Sequence, residues 1–470
     1  MYKAYITTLT NVRKHPNADR LLLADVFGNT VCVSTDYCEG QLGVYFPTDG
    51  QLSVEFAEKN NLVRKKNELG ENVGGYMDPD KRNVTAIRLR GEKSDGLFLP
   101  LSCLAYTGVD MDTLTMGTVI DGVVNGHEIC CKYIPRSNSR SHAAGGGNKT
   151  RKKSVPVAPL FKEHADTEQL AYNLSAFKPG DEIEITLKMH GTSQRTAHVP
   201  VLKGYKRTLW DKITRKEGTP IYDWGYVSGT RRVVLEDYEG GFYGSNEFRE
   251  AHSKIFEGKL WKGETVYYEV VGYTSTGTPI MSSADNAKLQ DKEFIKQYGK
   301  ETVFSYGCSP TGDSETRLTD LNDLDTAYTV TRPQSDIYVY CMTMTNEDGE
   351  VVEYTPDFMR YRCEQMGVKT VPVFWRGFVP TECEDADFLD ADLISPPGEW
   401  VKELAEEYYD GPDPIGKTHV REGVVVRIIN RPKFAAYKHK SFSFKVLEGI
   451  AKVNAEAPDI EEAQEITEEN

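Results

Sequence analysis

Four runs constrain this chain most: Glu182-Ile183-Glu184-Ile185-Thr186-Leu187, Val266-Tyr267-Tyr268-Glu269-Val270-Val271, Tyr338-Val339-Tyr340-Cys341-Met342-Thr343 and Gly423-Val424-Val425-Val426-Arg427-Ile428-Ile429. Branched and aromatic side chains at this density fit a pleated, half-buried surface, so each run predicts a strand. The gaps between them are long and uneven, which argues against a parallel βαβ repeat and for an α+β domain over residues 156–450. Helices are expected at Pro356–Met366, with Thr355 capping ahead of the proline, and from Trp400 to Tyr409.

Residues 1–131 read differently. Tyr2–Ile6, Leu21–Val26, Thr30–Ser34, Gly43–Pro47 and Val84–Leu89 are short alternating runs broken by turns, a pattern that suggests a small β-barrel. Residues 132–155 have the composition of a basic Gly/Ser-rich linker. Its Gly145-Gly146-Gly147 triplet has no strand before it and no Gly-Lys-Ser/Thr after it, so a phosphate loop is a poor reading. Residues 451–470 form an acidic tail whose composition predicts disorder.

The net charge of −15 is unfavourable for phosphate binding, yet it is unevenly spread. Seven acids and no base lie between Glu456 and Asn470, whereas seven bases and no acid lie between Lys132 and Ser154. A basic groove is therefore compatible with the acidic total. Nine cysteines without a Cys-x-x-Cys pair argue against both a disulfide framework and a structural zinc site. No apolar run reaches membrane-spanning length and the first residues lack a signal-peptide core, so a cytoplasmic location is expected.

Lys188 closes the first of the four runs and is followed by Met189-His190-Gly191-Thr192-Ser193, a small polar turn. A primary amine held there is a candidate nucleophile once it has lost its proton. Downstream come Val227-Ser228-Gly229-Thr230-Arg231-Arg232, Tyr267-Tyr268-Glu269-Val270-Val271-Gly272, Arg421-Glu422-Gly423-Val424-Val425-Val426-Arg427 and Tyr437-Lys438-His439-Lys440. This ordered set resembles the motifs of the covalent nucleotidyltransferases, the superfamily of ATP-dependent ligases and RNA capping enzymes. The Lys-x-His-Gly-Thr-Ser form is similar to that of RNA ligases. His15-Pro16-Asn17-Ala18-Asp19-Arg20-Leu21, with Arg88–Gly91 and Ser94–Pro100, resembles the OB modules of tRNA-binding proteins. An OB-like module ahead of the catalytic domain is similar to the order in the Deinococcus-type RNA ligase.

The resemblance implies a nucleotidyltransferase domain of antiparallel sheets with flanking helices, and ATP with Mg2+ or Mn2+ as cofactors. It implies RNA with 3′-hydroxyl and 5′-phosphate ends as partner, a nicked duplex or a hybrid being among the candidate forms; no membrane partner is expected, and a monomer is. Lys188 would take AMP, with Lys438 and Lys440 as cationic neighbours that lower its proton affinity and reach the α-phosphate. His190 stands where many relatives carry Asp; Gly191 would let the backbone approach the nucleotide, and Thr192 or Ser193 would bond ribose or phosphate. Arg195 and Arg231 would meet nucleotide or phosphate through the planar guanidinium fork, Arg231 being preferred to Arg232. Glu269 shares a strand face with Tyr267 and Val271, an awkward place for a carboxylate unless it holds the ribose. Tyr340 is preferred to Tyr338 as the adenine-stacking ring, although relatives follow that ring with Asp and here Cys341 follows; core packing explains a tyrosine there equally well. Glu422 would hold the metal ion. Lys445, beyond Phe442-Ser443-Phe444, is a further candidate RNA contact. Rival readings are a DNA nick ligase or a GTP-using capping enzyme of the same fold, and a non-catalytic RNA-binding protein.

Overall fold

A computed structural model describes residues 2–66, 72–133, 156–208, 218–274, 280–281, 335–381 and 396–446, with a few interruptions inside these spans, and the backbone of 314–318 and 327–331. Two compact units divide the chain, one of Met1–Pro135 with Phe442–Val453 and one of Arg136–Ser441 with Asn454–Asn470. The predicted linker begins inside the first unit, where Lys132 ends the strand Cys130–Lys132 opposite Gly50 and Tyr133 is buried; its remainder from 134 to 155, with the glycine triplet, and the acidic tail lie outside the described residues.

In the first unit, Ala4–Thr8, Leu42–Phe46, Leu97–Pro100 and Val119–Ile120 make a four-stranded sheet, and Thr10–Lys14, Leu21–Val26 and Asn29–Ser34 a three-stranded one. The four-stranded sheet buries Ile6, Val44 and Phe46 in one core with Leu52 of the strand Gly50–Leu52 and Phe56 of the helix Val54–Lys59. The expected strands are present, but among the described residues they remain separate sheets and do not close into a barrel. The two OB-like segments do meet: buried His15 sets Nε2 3.1 Å from the Leu89 carbonyl, and Asn17 Nδ2 donates to Arg90 O at 3.0 Å. Helical residues 442–446 belong to this unit, where Phe442 packs on Ala86 under Arg88 and Lys93. Lys445 is paired with Asp95 at 2.7 Å, so its ammonium is engaged inside the unit rather than held out as an RNA contact.

The second unit contains the strands β1 (Glu182–Lys188), β2 (Thr192–Lys206), β3 (Thr219–Gly229), β4 (Glu264–Gly272), β5 (Ser335–Thr345), β6 (Val373–Phe378), β7 (Gly423–Ile428) and β8 (Ala435–Lys440). One sheet runs β8-β7-β1-β6 and another β3-β2-β4-β5, with antiparallel pairing between these neighbours, as the α+β reading requires. Helix α1 (Pro356–Met366) starts on the Thr355 hydroxyl, which accepts from Phe358 N at 3.3 Å, and ends at left-handed Gly367. It covers β5 with Met359, Cys363 and Met366, and helix α2 (Pro397–Tyr408) lays Val401 and Ala405 on β1 and β7. Leu187, Met189, Val271, Tyr338 and Val371 form a small core between the two sheets, with Tyr340 against it.

Candidate active site

The antiparallel ladder brings three distant positions into one row. Lys188 pairs with Gly423, and Gly423 pairs with Lys440 on its other side. Gly423 has φ +151°, and a Cβ there would lie 2.1 Å from the His439 carbonyl oxygen, so only glycine lets the three strands close at this point. The residue before it, buried Glu422, sets Oε1 2.7 Å from Lys188 Nζ and 3.4 Å from Lys440 Nζ; Oε2 is 3.6 Å from His190 Nδ1. Burial by itself would raise the Glu422 carboxyl, but Lys188, Lys440 and His190 outweigh it and hold the group well below the usual carboxylate range. The site thus contains a fixed anion beneath two lysines. Lys438 lies opposite Val425, one pleat repeat along β8 from Lys440, and is half-buried.

The other face of β8 is anchored from behind. His439 stacks on Tyr409 with ring centroids 5.0 Å apart and sets Nε2 3.2 Å from Glu406, which also pairs with Lys402 at 2.9 Å. Burial opposes ionisation of Glu406, yet the hydrogen bonds and charges of His439 and Lys402 bring its carboxyl down to about 2. A histidine between two lysines is visible in the sequence; its partner on α2 is not.

The second sheet supplies a wall of rings and hydroxyls. Pairing between β4 and β5 slips by one residue: Tyr267 faces Cys341 and Tyr268 faces Val339, leaving Tyr340 as the extra residue of a β-bulge. The bulge re-aims Tyr340, whose hydroxyl lies 3.0 Å from Ser193 Oγ. Burial raises the phenol, as does nearby Glu269, while the Ser193 bond and the Arg231 charge act the other way. Glu269 is buried opposite Ser193 and Tyr338, on the face it shares with Tyr267 and Val271; Val266, Tyr268 and Val270 fill the opposite core. Arg232 lies outside the described residues.

Arg195 donates through Nε to Thr230 O at 3.1 Å and lies 4.2 Å over the Phe161 ring. Its buried Nη1 has no hydrogen-bond partner among the described residues. Gly191 has a packing reason: a Cβ would meet Val270 O at 2.4 Å, so the turn presses on β4, which accounts for the glycine without the expected approach to a nucleotide. Fully buried Arg249 holds the same turn, donating to Thr192 Oγ1 at 2.6 Å and to Ser193 O at 3.1 Å. Sequence reasoning passed over Arg249, which sits in a short helix, Glu247–Lys254, with no motif around it.

Lys188, His190, Glu422 and Lys440 therefore form one cluster, and Ser193, Glu269 and Tyr340 with the charge of Arg231 a second one at the start of β2. No protein-family model matches the sequence, and none of the curated proteins does. Solved structures of an RNA ligase from Naegleria gruberi are similar. A lysine-to-methionine variant with AMP and Mn gives a TM-score of 0.51 at 16% identity, covering 94% of this chain and 97% of that one. A glutamate-to-alanine variant with ATP and Mn gives 0.51 at 15%, covering 94% and 98%. A lysine-to-alanine variant with ATP and Mn gives 0.50 at 15%, covering 96% and 99%. Likeness over nearly the whole of both chains shows that this protein shares the fold of that RNA ligase.

Proposed function

We propose that the protein is an ATP-dependent RNA ligase that works through an adenylate on Lys188. The observation that carries this reading is the row Lys188, Glu422, Lys440: one amine at a strand end, a buried anion 2.7 Å away and a second cation on the adjoining strand. In the first step Lys188 Nζ attacks the α-phosphorus of ATP, a nitrogen–phosphorus bond forms, the bond to pyrophosphate breaks, and the amine gives up its proton. AMP then passes to an RNA 5′-phosphate, and a 3′-hydroxyl displaces it to seal the strand.

The residues present fit the nucleotide and a divalent ion. Arg195 offers a buried N–H without a partner among the described residues, and Glu422 a carboxylate kept ionised in the interior. Tyr340 would stack the base, Glu269 would hold the ribose, and Arg195 and Arg231 would meet phosphate or sugar. Mg2+ or Mn2+, when bound, supplies charge neutralisation for the phosphates. Glu422 would hold such an ion, and Lys438 and Lys440 would take up the α-phosphate charge. The Naegleria RNA ligase structures, in which ATP, AMP and Mn accompany the same fold, support this assignment.

Incubation with Mg2+ and ATP labelled at the α-phosphate tests it. Label is expected on the wild type and absent from Lys188→Ala, and the labelled protein should join RNA ends. Label from GTP in place of ATP, or joining of DNA but not RNA, would replace this reading with one of its relatives. RNA binding without any covalent label would leave a non-catalytic RNA-binding protein.

A further inference from the structure

The bulge that turns Tyr340 also brings Cys341 into a cluster that the proposed ligation does not use. Cys341 is 1% exposed and its thiol donates to Glu353 Oε1 at 3.1 Å. His164 closes the group, its ring edge-on to Tyr267, Tyr340 and Phe434 with centroids 5.0 to 5.4 Å away. One ligand atom from each of His164, Cys341 and Glu353 lies within 4.8 Å of the others. Imidazole nitrogen, thiol sulfur and carboxylate oxygen at this spacing, drawn from three separate segments, are the donor set of a borderline-soft dication and not of Mg2+, which takes oxygen.

We propose that His164, Cys341 and Glu353 form a zinc site that fixes the strand segment behind Tyr340. Binding replaces the thiol proton with a metal–sulfur bond and releases that proton to solvent. Arg427 is the charged group facing the cluster; it pairs with Glu353 at 3.0 Å and donates to Tyr354 O at 2.8 Å. That contact orients the carboxylate in the way that outer partners orient metal ligands, and Glu353 has a second oxygen for the ion. Three protein ligands leave a fourth position for water. The site is separate from Glu422 and needs neither ATP nor RNA.

The full-length protein, reduced and stripped with chelator, is titrated with Zn2+ against a chromophoric competitor, and with Co2+ while near-ultraviolet sulfur-to-cobalt absorption is followed. One equivalent should bind, with the cobalt band present, and the unfolding midpoint should rise by several degrees. Cys341→Ser should remove the cobalt band, and Glu353→Gln and His164→Ala should each weaken binding at least tenfold, whereas Lys188→Ala should bind as the wild type does. Circular dichroism identifies any variant that fails to fold. Because Glu353→Gln keeps the thiol, a cobalt band of unchanged strength and affinity in that variant, or no band in folded wild type, would overturn the proposal.

Discussion

Lys188 Nζ lies 2.7 Å from Glu422 Oε1, because Lys188 ends β1 opposite Gly423, the first residue of β7, and Glu422 stands just before it. Glu422→Gln leaves two lysines without their anion in a partly buried place. Removing one partner of such a pair costs about 3 kcal/mol. A lowered denaturant midpoint is expected together with loss of protein-bound adenylate at saturating ATP; a variant with full labelling would separate Glu422 from the chemistry.

Gly191→Ala should destabilise through packing. A methyl group there meets the Val270 carbonyl oxygen at 2.4 Å, and overpacking of this kind costs about 1–3 kcal/mol. Urea unfolding in the absence of nucleotide measures it, and an unchanged midpoint would assign the glycine to ligand approach instead.

Tyr340→Ala should raise the KM for ATP roughly 5- to 150-fold, the equivalent of about 1–3 kcal/mol of base stacking. Tyr340→Phe keeps the ring and loses only the Ser193 bond. Its KM should stay within a few-fold of wild type, and equal losses in the two variants would rule out stacking as the role of the ring.

Arg362 donates to Glu264 at 2.8 and 2.7 Å, with both side chains buried and Trp261 3.9 Å beneath the guanidinium. Arg362→Met strands a carboxylate in the core of the second sheet. A stability loss of about 3–5 kcal/mol is expected in a denaturant melt. The double variant with Glu264→Gln should recover part of it.

His252 is buried, bonded to Ser335 Oγ at 2.7 Å, and burial lowers its pKa from 6.5 to about 4. The folded protein therefore binds this proton less readily than the unfolded chain. The stability it supports is complete above about pH 6.5 and declines as the pH falls toward 4, by about 3 kcal/mol in all. Melts between pH 7 and 4 should show that slope, and His252→Gln should flatten it.

What was legible in the sequence was local or carried by register. Thr355-Pro356 announced α1 because a hydroxyl cap and a proline at the first turn act within a few residues. Alternation placed Glu269 on the face of Tyr267 and Val271. Glycine after Glu422 was visible, although its cause, the His439 carbonyl pressing on the strand, is not local. The slip at Tyr340 was hidden, since a bulge belongs to a pair of strands and not to either one. Arg249, Glu406 and Glu353 were hidden for the same reason: each matters through a partner far along the chain. Strand runs in the first unit did not reveal that, among the described residues, they would form separate sheets, because closure depends on tilt and stagger.

The row Lys188, Gly423, Lys440 has a consequence for biogenesis. A ribosome that has made Lys188 must still make the two other strands before the row is complete, so a nascent chain holds it unassembled until residue 440 has been added. Fragments truncated ahead of residue 440 would retain Lys188 and lack Lys440, its neighbour across Gly423.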